Sequence, residues 1–383
     1  MYDFIVIGAG MAGASAASEL ARSSRVCLIE AEDQPGVHAT GRSAALFAPT
    51  YGGRQVRAIT RASRAFFDRP PEGFSDQALL RPRGCLYIAR ADQRAQLDRM
   101  AGDIQASGGS VTIETGVSAL ARIPRLRPEY LAAAIFDAEA MDIDVDALHQ
   151  GFLRHLRSTG ATLLTSARAT RARRQNGVWR LQLEGEVVEA PVIVNAAGAW
   201  ADQVAGACGA REVGLQPLRR TAILVDPPVG VDIRDWPAVI DTDEMFYFKP
   251  EAGKLLISPA DESPDTPGDA QPQELDIAVG VDRVQAALDI EVRRVSHSWA
   301  GLRTFAPDRI PVIGFDPRVR GLFWCAGQGG YGIQTAPGMA RVVAALASLE
   351  ALPQDLLAEG LDAEELSPHR FVEAVTAKRL GDG

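Results

Sequence analysis

Cysteine is scarce. The 383 residues hold four, Cys27, Cys85, Cys208 and Cys325, far apart and without a CxxC pair. That spacing excludes a disulfide framework and a thiolate zinc site. Histidine is nearly as rare, with five residues. His149 and His155 fall six apart on one expected helix, about 240° around its axis, so they cannot share a metal. No apolar run approaches the roughly 18–20 residues a bilayer span requires. Residues 1–7 carry none of the regions of a secretory leader, so a cytoplasmic location is expected. An excess of cations is absent too: the net charge is −9. A chain of that sign is a poor ligand for nucleic acid. One arginine-rich stretch, residues 168–180, runs against the average and reads as a solvated face around an Asn176-Gly177 turn.

What is abundant is glycine, 36 residues, in a chain whose hydrophobic fraction, 46%, is that of a globular protein. The length calls for two domains. Residues 4–7 form a short, wholly apolar run that predicts a buried parallel strand. Gly8-Ala9-Gly10-Met11-Ala12-Gly13 follows, a GxGxxG. Gly8 suits the tight turn, Gly10 admits a pyrophosphate, and Gly13 lets the next helix pack on the strand. That helix, Met11 to about Ala21, would aim its unpaired first-turn N–H groups at phosphates. Residues 26–29 are the second strand. Glu30, 22 positions after Gly8, ends it with a carboxylate suited to a ribose diol. Dinucleotide binding follows from the combination, without a choice between NAD and FAD.

Further along, Thr40-Gly41-Arg42-Ser43 reads as a loop entering a helix, either an anion site or a plain helix start capped by Thr40 or Ser43. Residues 56–68 carry a helical apolar stripe. Residues 79–91 read as one strand bent at Pro82, and 92–107 as a helix capped by Asp92. Residues 120–127 read as loop. Asp142, Asp144 and Asp146 suggest calcium, but a calcium loop would need glycine and glutamate where Ala147 and Leu153 stand. Asp144 or Asp146 capping the helix from Ala147 is the better reading, and no metal is expected. Residues 192–195 form another buried strand, running into the small residues Ala196, Ala197, Gly198 and Ala199, then Trp200. From about 215 to 297 the texture changes to alternating strands and proline-rich turns, an antiparallel sheet. The opening texture returns at residues 321–325, followed by a glycine-rich turn and a helix from about Gln334. The expected fold is therefore α/β: a discontinuous Rossmann-like nucleotide domain (1–77, 139–213 and 303–383) with an inserted, mainly antiparallel α+β substrate domain (78–138 and 214–302).

Taken together, GAGMAG, the GRSAA loop of residues 41–45, VNAAGAW at 194–200, SWAGLRTFAPDRIPVIG at 298–314 and GQGGYGIQTAPG at 327–338 resemble the FAD-dependent amine and amino-acid oxidoreductases. That family includes D-amino-acid oxidase, glycine oxidase and sarcosine oxidase, and the pattern is most similar to bacterial D-arginine dehydrogenase. The resemblance spans nearly the whole chain. It implies FAD held by Gly8, Gly10, Met11, Ala12, Gly13, Glu30, Arg42, Ser43, Ala44, Ala45, Ala197, Gly198, Trp200, Gly330, Tyr331, Gly332, Ile333, Gln334 and Thr335. Some relatives tether the flavin through a cysteine at the place of Gly301, so noncovalent FAD is implied here. The substrate carboxylate would meet Arg220, Arg303, Tyr51 and Tyr247, a pairing that also suits the chemistry of guanidinium forks and phenols. The Gly330 carbonyl would accept from the substrate amine.

Two departures bear on specificity. Where relatives that bind a guanidinium side chain carry an acid and a histidine, this chain has Cys85 and Leu46. A cationic side chain would lose its counter-charge there, which implies neutral or apolar α-amino acids. Lys254 aligns with a lysine that activates oxygen over the flavin in sarcosine oxidases; a lysine on the outer face of a strand is the equal alternative. The electron acceptor, oxygen, a quinone or another, stays open with it. The expected reaction is oxidative deamination of a D-amino acid to a 2-oxo acid and ammonia. The alternatives are an N-alkyl or cyclic amino acid or a 2-hydroxy acid as substrate, or a nucleotide-binding scaffold without turnover.

Overall fold

The computed structural model describes residues 1–372, so the end of the expected 303–383 segment lies outside the described residues. The opening apolar run forms β1 (Phe4–Ile7), the glycine turn leads into α1 (Met11–Leu20), and the chain returns as β2 (Val26–Ile29). All residues of β1 and β2 are buried, as expected for strands covered on both faces. The cysteines of the described residues are all free and buried.

The remaining elements that position the site are β3 (Cys85–Ala89), α2 (Val145–Ser158), β4 (Thr162–Leu164), β5 (Val192–Asn195), β6 (Gln216–Val225), β7 (Ala238–Asp241), β8 (Tyr247–Glu251), β9 (Lys254–Ser258), β10 (Val295–Phe305), β11 (Val312–Phe315), β12 (Leu322–Ala326) and α3 (Ala336–Ala347). Six strands make the first sheet, in the order β11-β12-β5-β1-β2-β4. Every pairing in it is parallel except β11 with β12. Helices α1, α2 and α3 pack on one face around Ala14, Leu148, Phe152, Met339 and Val343. Trp179, Leu181 and Val188, from a three-stranded antiparallel ribbon, join the core on the other face. This is the Rossmann-like arrangement.

The second sheet has nine strands and includes β6, β9, β8, β7, β3 and β10. Its strands are antiparallel with one exception: β7 runs parallel to β3, with Ala238 opposite Cys85. The longest strand of the described residues, β10, lies along β6 from Phe305 opposite Gln216 to Val295 opposite Val225. At its inner end Phe305 bridges to Gln328, and the Gly329 N–H donates to the Thr304 carbonyl at 2.9 Å. The long strand therefore delivers its last residues to the glycine turn of the first sheet.

Several local expectations change. Thr40-Gly41-Arg42-Ser43 enters no helix; residues 35–42 are turns and Leu46–Phe47 is a short strand. Thr40 does cap a helix, but a distant one, since its Oγ1 accepts from the Met11 N–H of α1 at 2.9 Å. Residues 79–91 are two strands in different sheets, Leu80–Pro82 and β3, separated by Gly84 at φ +73°. Asp92 is not a cap. It sits inside a 3-10 turn, Ala91–Gln93, paired with Arg90. Of residues 120–127, expected as loop, 120–122 form the end of a helix, Gly116–Arg122. Asp144 caps α2, accepting from the Ala147 N–H at 2.9 Å. The late helix starts at Ala336, two residues past Gln334. No helix of the described residues is long and apolar enough to cross a membrane.

Candidate active site

A cavity of about 400 Å³ starts at the glycine turn after β1 and ends at Arg303 on β10. A smaller one of about 80 Å³ continues from it toward β7 and β8. Ser43, Ala44, Arg220, Tyr247, Arg303, Gly330 and Ile333 belong to both walls.

The first end is built by the nucleotide motif. Gly8 stands at φ +98°, and a Cβ there would lie 2.6 Å from the Ala196 carbonyl oxygen. Gly13 has a sharper constraint, since its Cβ would come within 1.8 Å of the Gly8 oxygen. Gly10 lines the cavity, and a Cβ on it would sit 3.2 Å from Thr40 Oγ1. Glu30 accepts from the Ala9 N–H at 2.8 Å and from the Glu32 N–H at 3.0 Å. His149 on α2 contacts the Ala9 carbonyl at 2.8 Å, and burial pushes its pKa down, so the ring is a neutral donor. Met11, Ala12, Arg42, Ala197, Gly198, Trp200 and Gly332 complete this wall, and Ala45 and Gln334 belong to the smaller cavity.

Three residues expected to touch the cofactor stand behind the wall. Gly13 packs on the turn. Thr335 Oγ1 is spent on the Tyr331 carbonyl at 2.8 Å. The Tyr331 ring packs edge-on against Tyr51, 5.2 Å between centroids, and against Phe305.

The second end gathers Tyr51, Arg220, Tyr247, Arg303 and Gly330 from five separate stretches of chain. Arg220, on β6, donates from Nε to the Asp261 carbonyl at 2.8 Å and from Nη2 to Glu262 at 3.2 Å. Arg303 has no carboxylate within ion-pair distance among the described residues, and Tyr51 is its hydrogen-bond neighbour. A Cβ on Gly330 would meet Arg303 Nη1 at 2.7 Å, so any side chain there would displace that guanidinium. Burial pulls the Arg220 pKa down and the Arg303 cation adds to it. Burial also acts against Arg303, but the oxygens of Tyr51 and Tyr247 outweigh it and hold it above the usual arginine value. Burial pushes the Tyr51 phenol up, so it is a neutral hydroxyl donor. Two facing cations and a phenol donor make a receptor for an anion.

Two expected residues are elsewhere. Lys254 lies outside both cavities, paired with Asp226 at the start of β9. It is Ser258, four residues on, that faces Tyr247 across the ladder, so Lys254 is about 13 Å along the strand from the clamp. Cys85 is fully buried in the packing behind the smaller cavity and forms no part of its wall, whereas Leu46 does. The rest of that wall includes Ala48, Ala238, Ile240 and Phe246. Lys249, which the sequence did not single out, also lines it, neutralised by Asp142 at 2.9 Å and Glu251 at 2.7 Å.

The residues fit a flavin dinucleotide. The glycine turn leaves room for a pyrophosphate. The buried Gln334 has its Oε1 fixed by the Ala48 N–H, while its Nε2 has no partner. Gly301 stands in the wall, and no cysteine lines either cavity.

A parallel sheet with a glycine-lined mouth defines a dinucleotide-binding protein. Residues 3–346 match the model of the DAO family, FAD dependent oxidoreductase, and the chain belongs to that family. It binds FAD. Among curated proteins it is 25% identical over 318 residues to FAD-dependent oxidoreductase domain-containing protein 1 of Mus musculus, covering 73% of this chain but only 64% of that protein. It is 26% identical over 377 residues to the glycine oxidase of Geobacillus kaustophilus, covering 93% and 95% of the two chains. The crystal structure of that oxidase superposes with a TM-score of 0.81 at 24% identity, covering 91% of this chain and 95% of the other. L-proline dehydrogenase from P. horikoshii superposes at 0.82 with 20% identity, covering 97% and 98%.

Proposed function

We propose that this enzyme oxidises a neutral or apolar α-amino acid, of the D series, to the corresponding 2-oxo acid and ammonia. The carrying observation is the pair Arg220 and Arg303 meeting Tyr51 and Tyr247 in one cavity, with Arg303 lacking an acidic partner among the described residues. A substrate carboxylate supplies the missing charge. The domain division expected from the sequence belongs to the same reading: 78–138 and 214–302, the substrate domain, supply Arg220 and Tyr247, while Tyr51, Arg303 and Gly330 reach the same cavity from the cofactor segments 1–77 and 303–383.

The arginine forks and phenols orient the carboxylate, and the Gly330 carbonyl accepts from the amine. The side chain would enter the smaller cavity, where Leu46, Ala48, Ala238, Ile240 and Phe246 stand beside the charged Glu244 and Lys249. FAD, when bound, would supply the acceptor for the hydride of Cα. The imino acid so formed hydrolyses in water. Orientation and fixed charge carry the rate, without a dedicated side-chain base.

An anaerobic panel tests this reading. D-amino acids, sarcosine, cyclic imino acids and 2-hydroxy acids are mixed with the holoenzyme, and loss of the visible flavin band is followed. Neutral D-amino acids are expected to bleach it fastest. Bleaching by hydroxy acids alone would overturn the amine assignment, and bleaching by nothing in the panel would leave a scaffold.

A further inference from the structure

Among the described residues, Arg220 is held on one edge only. Its Nε and Nη2 form the lateral fork of the guanidinium, and that fork is occupied by the Asp261 carbonyl and Glu262 Oε1. The remaining Nη1–Nη2 end is left for the cavity, which Arg220 lines. Glu262 is itself fixed. Arg309 grips it with two bonds, Nη1 to Oε2 at 3.0 Å and Nη2 to Oε1 at 2.7 Å, so Oε1 accepts from both arginines. Arg309 in turn lies over the Phe305 ring, its Cζ 3.9 Å from the centroid. It takes a left-handed backbone, φ +62°, to do so. A bulky residue in that conformation costs free energy and persists where its surroundings require it.

We infer that Glu262, braced by Arg309, is a positioning residue: it turns the Arg220 guanidinium end-on to the substrate carboxylate. This rests on the carboxylate clamp proposed above. The alternative, a bystander carboxylate acting only through its field, predicts the opposite sign. An anion beside the clamp repels an incoming anion, so a bystander's removal would tighten carboxylate binding. Loss of a positioning residue loosens it, because an untethered arginine must be ordered again on each binding event.

Propionate, a carboxylate without an amine, is titrated into holoenzyme and the flavin absorbance change gives Kd. Glu262→Ala is expected to raise Kd about tenfold. Glu262→Gln, which keeps one acceptor for Nη2, falls between it and the wild type. Arg309→Lys, which keeps the charge but not the two-bond grip, shifts Kd in the same direction by less. For the amino-acid substrate, KM rises in parallel while kcat changes about twofold or less, since the contact serves ground and transition states alike. Glu262 is partly exposed, and flavin content together with melting temperature verifies that each variant is folded. Equal or tighter propionate binding in Glu262→Ala overturns the inference and leaves the clamp intact. Failure of the wild type to bind propionate overturns the clamp, and this inference with it.

Discussion

Arg303 is the residue on which the chemistry depends most directly. Its neighbours are phenols and a glycine carbonyl turn, with no acidic partner among the described residues. Truncating one member of a buried charge pair costs about 2–5 kcal/mol, and ~3 kcal/mol corresponds to roughly a hundredfold in rate. Arg303→Met should therefore lower kcat/KM for amino acids by about two orders of magnitude while FAD stays bound. Anaerobic flavin reduction, with visible absorbance as the measure of cofactor content, checks both halves. Normal reduction would remove Arg303 from the site. The same residue illustrates what could be read from residue type. Arg220, Arg303, Tyr51 and Tyr247 have the chemistry of a carboxylate receptor, and the fold brings all four to one cavity. Lys254 and Cys85 were legible by alignment alone, and the fold sends them elsewhere. The register that sets Ser258 against Tyr247 decides where Lys254 goes, and no local pattern encodes that register.

Among the elements, the strand–turn–helix at the start was readable almost to the residue. Its signals are local: an apolar run and three glycines within about ten positions. The turn is also the most constrained part of the molecule. Gly13 has its absent Cβ 1.8 Å from the Gly8 oxygen, so Gly13→Ala must push α1 off β1. Overpacking of this kind typically costs 1–3 kcal/mol; here we expect about 3 kcal/mol, with loss of bound flavin. Thermal melts and the visible spectrum of the purified variant measure it, and a yellow protein of unchanged melting temperature would contradict the packing argument. Elements whose ends are set by distant partners were less legible. Thr40 looked like the start of its own helix because its real client, α1, lies 29 positions earlier. Residues 79–91 looked like one strand because nothing local says that Leu80–Pro82 and β3 pair in different sheets. Glu262 had no sequence signal, while Arg309 sat unassigned within a stretch that carries the family resemblance.

At the scale of the whole molecule, the two sheets are fastened across the cleft by Arg42. Its Nη1 donates to the carbonyls of Ala270 at 2.9 Å and Ala300 at 3.0 Å, and its guanidinium pairs with Asp269. Trp299 Nε1 returns a bond to the Arg42 carbonyl at 2.9 Å. Ala300 and Trp299 belong to β10, while Arg42 follows Thr40, the residue that caps α1. Arg42 thus ties the loop that caps α1 to the nine-stranded sheet. Its consequence concerns time more than affinity. A latch that must undo several bonds before the jaws part makes escape of the prosthetic group slow even in flavin-free buffer. Prolonged dialysis should leave the wild type coloured, and Arg42→Met should bleach with a half-life at least about tenfold shorter, roughly 1.4 kcal/mol off the barrier to release.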